Sequence, residues 1–513
     1  MMESGNWIIA HFNYVPYLDK PILAPLLTAS AYSLFGVSDF TTRLVPAIAA
    51  LLGIFFLRSF ALRLFERRTA DYAALLLLTT SGYVLAGRFA VIDMLMTLWI
   101  SLTLFAMFRA FLEKAPRFYL LAYVFMGLAT MTKGLIGFVI PGFCFLIFLV
   151  WTRNLAELKR MYIPAGILII AVLFLPWLFA AMKKYEGFFD IFIIDQHFNR
   201  FATGSFGRKR PFWFFVPILL LFGLPWALFF PAALKRQFKI TDAMEQIKTR
   251  FLLSWIAGIM IFFSIPKSKL PYYILPALPP LALFMARFFV KITENPESWP
   301  RFFVHRTWLF LASTAVAGIL GFNIYLFFTK EEDLLLLRTL VHGGSWIFAG
   351  GIAVSFIQHK RNLERGVFWL AGTFYASLLL VFMGMKILSV SESTFEEAKL
   401  LQNLSPAPEF TVIYSSPDRF SDLPFHLRER IIVSGPDWGT LQEQVHTMAK
   451  KDIRIRDYFW SVEDLVRRLN DKSERIVVLT QRKWFPELLK YGLKEGNYRE
   501  LKRGHGKVLI ANY

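Results

Sequence analysis

Four stretches place charge where an otherwise apolar chain would avoid it. Asp19 and Lys20 stand together in "YLDKP". Asp93 sits in "GRFAVIDMLMT", with Arg88 before it. The 182–211 loop carries Lys183, Lys184, His197, Arg200, Arg208, Lys209 and Arg210. The string "PKSKLPYYILP" at 266–276 adds Lys267, Lys269, Tyr272 and Tyr273. Basic side chains gathered in this way can hold a phosphate. A carboxylate beside them can act as general base for an acceptor hydroxyl, or as an electrostatic partner. Asp19 with His197 offers one oxygen and one imidazole ligand, which suit zinc or manganese. Two ligands so far apart in sequence are a weak metal signal.

Each of these residues also has a plainer reading. Asp93 can be a structural partner of Arg88. Lys20 can reach up to lipid head groups. Residues 208–210 can simply anchor the next span, whose "FWFF" start reads as an aromatic belt. His197 can face solvent, and Tyr272 and Tyr273 can be interfacial anchors. Lys133, in "TMTKGLIG", is either a re-entry point on the outer surface or a lysine facing a cavity, and sequence does not choose.

The elements that must position these residues are membrane helices. Of 513 residues, 56% are hydrophobic and only 18% charged, against roughly 25% in soluble domains. Fifty-five residues are Phe, and the mean hydropathy is +0.47. The formal net charge of +20 is explained by basic cytoplasmic loops and anionic lipid before any nucleic acid. Cys144 is the single cysteine, so no internal disulfide forms. The opening residues show neither a basic leader nor a long apolar core.

A membrane helix needs about 20 mostly apolar residues. Twelve segments qualify: 44–64, 69–87, 90–112, 118–132, 134–151, 162–181, 212–233, 251–265, 272–290, 307–328, 341–358 and 367–388. The segment 22–35 is shorter, contains Pro25 and reads as an interfacial helix. With residues 1–43 outside, every inner loop carries Lys or Arg, as the positive-inside rule requires. The exceptions on the outer face are the 182–211 loop and "PKSK" at 266–269. Asp19, Lys20 and Asp93 fall on that same face, so all could line one outward cavity at membrane depth. Beyond 388 the chain turns polar. Short β-rich runs at 410–416, 430–434, 475–481 and 506–513 and an amphipathic run at 460–471 predict a small α/β or α+β domain. The organisation expected is a membrane portion over 1–388 and an extracytoplasmic domain over 389–513.

At this point the chain resembles the bacterial membrane glycosyltransferases that use polyprenyl-phosphate sugars. These are the aminoarabinose transferases acting on lipid A and, more distantly, the protein O-mannosyltransferases. The strings that carry the resemblance are "ESGNWIIAHFNYVPYLDKPILAPLLTASAYSLFGVSDFTTRLVPAIAALLG", "RFAVIDMLMT", "ATMTKGLIGFVIPG", "HFNRF", "RKRPFWFFVPILLLFGLPW" and "SIPKSKLPYYILPALPPLALF". They recur in order over residues 3–290, more loosely to 388 and weakly beyond. The resemblance implies a helical bundle with a periplasmic cavity in the bacterial inner membrane. It implies inverting transfer of a sugar from undecaprenyl phosphate to lipid A, another glycolipid or a protein, with the enzyme acting as a monomer. By motif, Asp19 and His197 match the family's metal-associated positions, with Asp19 where Glu is common. Lys20 matches the lysine on the carrier phosphate, and Asp93 the second acidic residue of the cavity. Arg200, Tyr272 and Tyr273 fall where family members place phosphate or cavity contacts, and Arg88, Lys267 and Lys269 join them as candidate carrier contacts by their charge on the same face. Family members also have an earlier span and an acidic pair, giving thirteen spans. Here "MMESGNW" opens just after that pair. Either the start codon is assigned late or the chain is a truncated relative; the intact downstream strings favour the late start.

Two other functions compete. A transporter or flippase for a lipid-linked amphiphile usually shows inverted repeats, and none is visible. A non-catalytic scaffold with a recruiting C-terminal domain also fits the absent acidic pair.

Overall fold

The computed structural model describes residues 1–2, 4–199, 210–237, 241–294, 305–314, 317–318, 321, 335–416, 419–435, 458–504 and 506–513, with the backbone alone at 197–199, 236–237, 335–341 and 386–392. Contacts divide the chain into two units: Met1–Ile9 with Asp19–Val381, and Ala10–Leu18 with Phe382–Tyr513.

The first unit is α-helical. It opens with α1 (Leu23–Phe35), α2 (Asp39–Leu64), α3 (Arg67–Leu78), α4 (Ser81–Arg88), α5 (Ile92–Glu113), α6 (Arg117–Lys133), α7 (Ile136–Trp151) and α8 (Ile163–Lys184). Further on come Ala243–Ser264, Pro271–Glu294, Leu335–Arg361 and Leu363–Glu392. Pro25 lies in the first turn of α1, where its missing N–H costs nothing. Ser38 caps α2 in a reciprocal pair with Thr41.

Six described helices are long and apolar enough to cross a membrane, or seven if a bent pair counts as one. That is fewer than the twelve segments read from hydropathy. The differences have local causes. The run 69–87 splits into α3 and α4 because the Thr79 and Thr80 hydroxyls bond back to the Leu75 and Leu76 carbonyls. The Ser81 N–H then donates to Leu224 O at 3.0 Å rather than into its own helix. The run 212–233 bends by 110° between Phe222 and Trp226, where Pro225 lacks a donor. Helices α6 and α7 have 17 and 16 residues. Most of the run 307–328 lies outside the described residues.

The faces of these helices say what surrounds them. Phe55, Ile167 and Val172 are each more than 60% exposed, a pattern a watery surface does not tolerate over whole helices. Helix α5, by contrast, is buried over almost its whole length. Its polar residues turn inward on themselves: Thr97 donates to Asp93 O and Ser101 to Thr97 O, both at 2.7 Å. The chain is thus a polytopic α-helical membrane protein.

The turn from α6 to α7 is tight. Gly134 ends α6 with φ +81 and donates to Thr130 O at 2.8 Å. A Cβ on Gly137 would stand 2.3 Å from Thr130 N. The start of α7 therefore packs directly on the last turn of α6. Gly137→Ala is expected to destabilise the protein by about 1–3 kcal/mol through overpacking. Thermal unfolding in detergent checks this, and an unchanged midpoint would contradict the close approach.

The second unit is an α/β domain. Strands β3 (Phe410–Tyr414), β4 (Ile432–Ser434), β5 (Phe459–Trp460), β6 (Ile476–Gln481), β7 (Arg499–Gly504) and β8 (Lys507–Ala511) form one sheet in the order β5-β4-β3-β6-β8-β7. The first four of that order are parallel, and β8 and β7 are added antiparallel. Helices cover both faces. Val462–Asp471 presents Val462, Leu465, Val466 and Leu469 to one face, the spacing of an amphipathic helix. Phe395–Gln402 and Leu423–Leu427 cover the other. The parallel strands settle the sequence alternatives in favour of α/β. Hydropathy reading missed β5, β7 and a small N-terminal hairpin, β1 (His11–Phe12) and β2 (Val15–Pro16), which belongs to this unit.

Candidate functional site

Asp93 is the second residue of α5, in a first turn that has no side-chain cap. Lys133 is the last residue of α6. A carboxylate is favoured at a helix N-terminus and an ammonium at a C-terminus. These two ends meet: Lys133 Nζ and the Asp93 carboxylate form an ion pair, with side chains 10% and 16% exposed. Helices α5 and α6 pack side by side, and the pair joins the start of one to the end of the other. The Lys133 ammonium also stands 4.4 Å above the centre of the Tyr273 ring, a cation–π contact. Tyr272 lies within reach of the Asp93 charge and packs against Phe222 at 5.8 Å. Tyr273 packs against Phe263 at 5.0 Å.

Of the residues expected from sequence, the structure therefore brings together Asp93, Tyr272 and Tyr273. It adds Lys133, for which the sequence allows two readings. A length count could have found it. From Asp93 to the end of α5 is about 30 Å at 1.5 Å per residue, and α6 returns about 24 Å before Lys133. A hairpin of such helices brings Lys133 back to the level of Asp93.

The "PKSK" string forms a second grouping. Lys269 is buried, and its ammonium donates to Pro266 O and, at 3.3 Å, to Arg210 O. The Arg210 N–H donates to Lys267 O at 3.1 Å. Burial pushes the Lys269 ammonium below the ordinary lysine range. Lys269 thus stitches the 266–269 turn to Arg210, while Lys267 is exposed.

Asp19 is buried and Lys20 half-buried, both immediately before α1. Arg88 is the exposed last residue of α4. The backbone of His197 lies in the π-helical segment Asp190–Asn199; its side chain and the whole of Arg200 lie outside the described residues. Among the described residues, no group of three or more His, Cys, Asp or Glu is placed to hold a metal ion.

A polytopic helical bundle followed in the chain by an α/β domain is an architecture that other membrane proteins share. Residues 19–179 match the family model of dolichyl-phosphate-mannose-protein mannosyltransferases. An undecaprenyl phosphate-alpha-4-amino-4-deoxy-L-arabinose arabinosyl transferase of Aeromonas salmonicida is 30% identical over 71% of this chain and 67% of its own length. One from Pseudomonas fluorescens is 31% identical over 69% of this chain and 63% of its own. The chain thus spans about two thirds of these relatives. The crystal structure of ArnT from Cupriavidus metallidurans bound to undecaprenyl phosphate matches all of this chain and 91% of its own, with a TM-score of 0.84 at 23% identity. The chain belongs to the family of the undecaprenyl phosphate-alpha-4-amino-4-deoxy-L-arabinose arabinosyl transferases.

Proposed function

We propose that this protein is a glycosyltransferase that moves a sugar from undecaprenyl phosphate to a lipid A-like acceptor outside the cytoplasm, with inversion. The observation that carries this reading is the nearly buried Asp93–Lys133 pair seated on Tyr273, in a chain whose named relatives use that carrier. A bilayer protein retains such a pair at a price, and intramembrane charge is a functional hypothesis by default.

The chemistry follows from the charges. The acceptor hydroxyl oxygen attacks the anomeric carbon, and the bond from that carbon to the phosphate oxygen breaks. The carrier phosphate leaves with the electron pair. Lys20 meets its charge, with Arg88, Arg200 and Lys267 as further cations and Lys269 holding the strip that presents Lys267. Asp93 orients the acceptor hydroxyl and receives its proton, while Lys133 fixes the carboxylate. Tyr272 and Tyr273 wall the reacting groups. Only contacts that tighten as charge moves onto the phosphate speed the step.

Asp19 and His197 are the residues that would hold a zinc or manganese ion. Asp19 supplies a buried carboxylate oxygen, a donor that suits either metal; a bound ion would add positive charge near the carrier phosphate. We assign the protein to the bacterial inner membrane and propose twelve spans for this chain. The membrane portion is taken as 1–388, and 389–513 as a periplasmic domain.

Equilibrium binding to the purified protein tests the donor assignment. Undecaprenyl phosphate is expected to bind much more tightly than undecaprenol, which has the same tail without the phosphate. Equal binding of the two would sink the proposal.

A further inference from the structure

Two turns meet at the end of α5 opposite the Asp93–Lys133 pair. One joins α5 to α6 and carries Lys114 and Arg117. The other joins α7 to α8 and carries Lys159 and Arg160 on the short 3-10 helix Leu155–Arg160. From Asp93 to Lys114, α5 runs about 30 Å at 1.5 Å per residue. Glu157 draws the two turns together. Its side chain is 6% exposed. The carboxylate accepts from the Tyr119 hydroxyl at 3.0 Å and from Lys114 Nζ at 3.3 Å, and the Arg160 guanidinium stands 3.9 Å away. Arg160 also donates to Lys114 O at 3.4 Å, and the Tyr123 hydroxyl to Met161 O at 3.0 Å. Two turns some 40 residues apart thus make one basic surface.

That surface holds more positive charge than its own carboxylates meet. Lys114, Arg117, Lys159 and Arg160 are all exposed. Glu157 is shared between two of them, and Glu113 is engaged with Arg109 at 2.7 Å. The surroundings suit lipid. Trp151, Leu155 and Tyr162 in the same turn are each more than 40% exposed, and exposed Trp and Tyr mark the depth where acyl chains give way to head groups. The Lys114 ammonium stands 4.5 Å above the Phe111 ring, and the Arg117 guanidinium 5.1 Å above the Phe118 ring. Their apolar stems therefore lie along the helices while the charged ends stay in reach of the surface. The backbone of both turns is bent to the same end. Lys114, Arg153 and Tyr162 have φ of +53, +57 and +50, a left-handed conformation that burdens a residue with a Cβ and that glycine adopts freely. Basic and aromatic side chains stand where glycine would be less strained.

We propose that these two turns form a binding site for the head group of an anionic phospholipid of the inner leaflet, with Lys114 and Arg160 on its phosphate and Arg117 and Lys159 beside them. Both turns fall in loops that the positive-inside rule places on the cytoplasmic side. Basic pockets between membrane helices on that side take anionic head groups. The acyl chains run along Trp151, Leu155 and Tyr162. The site is separate from the donor assignment, because it stands at the other end of α5 from Asp93. Each basic residue near a membrane surface contributes about fivefold to binding of an anionic lipid.

The test titrates the full-length protein, in a neutral detergent, with cardiolipin, phosphatidylglycerol and phosphatidylethanolamine, and reads bound lipid by native mass spectrometry. The two anionic lipids are expected to bind on the order of 100-fold more tightly than the zwitterionic one. Arg117→Gln with Lys159→Gln leaves the bonds to Glu157 in place, so the fold is kept. It is expected to lower that preference by roughly 10- to 30-fold. Lys114→Gln, Glu157→Gln and Arg160→Gln together remove the central network whole, so that no carboxylate is left buried alone. This variant is expected to lose most of the preference as well. If the wild type binds anionic and zwitterionic lipids alike, or if either variant keeps the full preference, the inference is overturned.

Discussion

Lys20→Ala is expected to weaken undecaprenyl phosphate binding by about 10- to 100-fold, because a charge-assisted bond to phosphate contributes about 1.5–3 kcal/mol. Binding of undecaprenol should change little, since its tail has no charge to meet. Lys20→Arg should recover part of the loss, as it restores the charge with a different shape. Titration of the purified variants with both lipids measures this. A uniform loss for both lipids would mean that Lys20 supports the fold around α1 rather than the phosphate. The position of Lys20, half-buried and next to the buried Asp19, is the reason to expect the selective outcome.

The second large effect is at the acid. Asp93→Asn is expected to lower transfer by at least about 100-fold and also to destabilise the protein, because it leaves Lys133 nearly buried beside a neutral group. Breaking a buried pair by removing one partner typically costs about 3–5 kcal/mol. Two effects are mixed in that variant, and a second one separates them. Asp93→Asn with Lys133→Met removes both charges and should regain much of the stability. Transfer should stay lost, since the proton acceptor is still missing. Recovery of transfer in the double variant would reduce Asp93 to a structural counter-ion. Unfolding midpoints and initial rates on the same preparations give both readings.

Much of the membrane fold was legible from hydropathy, and the reasons are visible element by element. The runs that became α2, α5 and α8 are long and nearly free of internal charge, so composition alone marks them. The break at Thr79–Ser81 was not legible, because Ser81 is bonded to the Leu221 and Leu224 carbonyls, 140 or more residues away. Charge was a good guide to the candidate site but an incomplete one. Asp93 stood out because lipid penalises a carboxylate. Lys133 stood out too, but its partner is 40 residues distant, and only the helix lengths tie the two together. Lys269 read as a phosphate ligand from its neighbours, whereas its ammonium is bonded to two backbone carbonyls. The hairpin of residues 10–18 was the least legible part. Its strands are two residues each, too short for any alternation to register, and its anchor at Ile431 is 418 residues away.

The C-terminal domain follows the same logic. The parallel strands β3, β4 and β6 carry short apolar runs that are legible in the sequence, whereas β5, with two residues, is too short to register. The strand β7 was not legible either, since its sequence "RELKRG" is polar and is held by pairing to β8 alone. Edge strands of this kind are kept charged, which limits further pairing and hides them from hydropathy.

The most direct test of the central claim is a transfer assay. The full-length protein, in lipid, is given undecaprenyl phosphate carrying a labelled aminoarabinose, together with lipid A. The expected result is label on lipid A with inverted anomeric configuration, release of undecaprenyl phosphate, and loss of both in Asp93→Asn. Label that remains on the carrier under conditions where undecaprenyl phosphate is bound, or undiminished transfer by Asp93→Asn, would contradict the account.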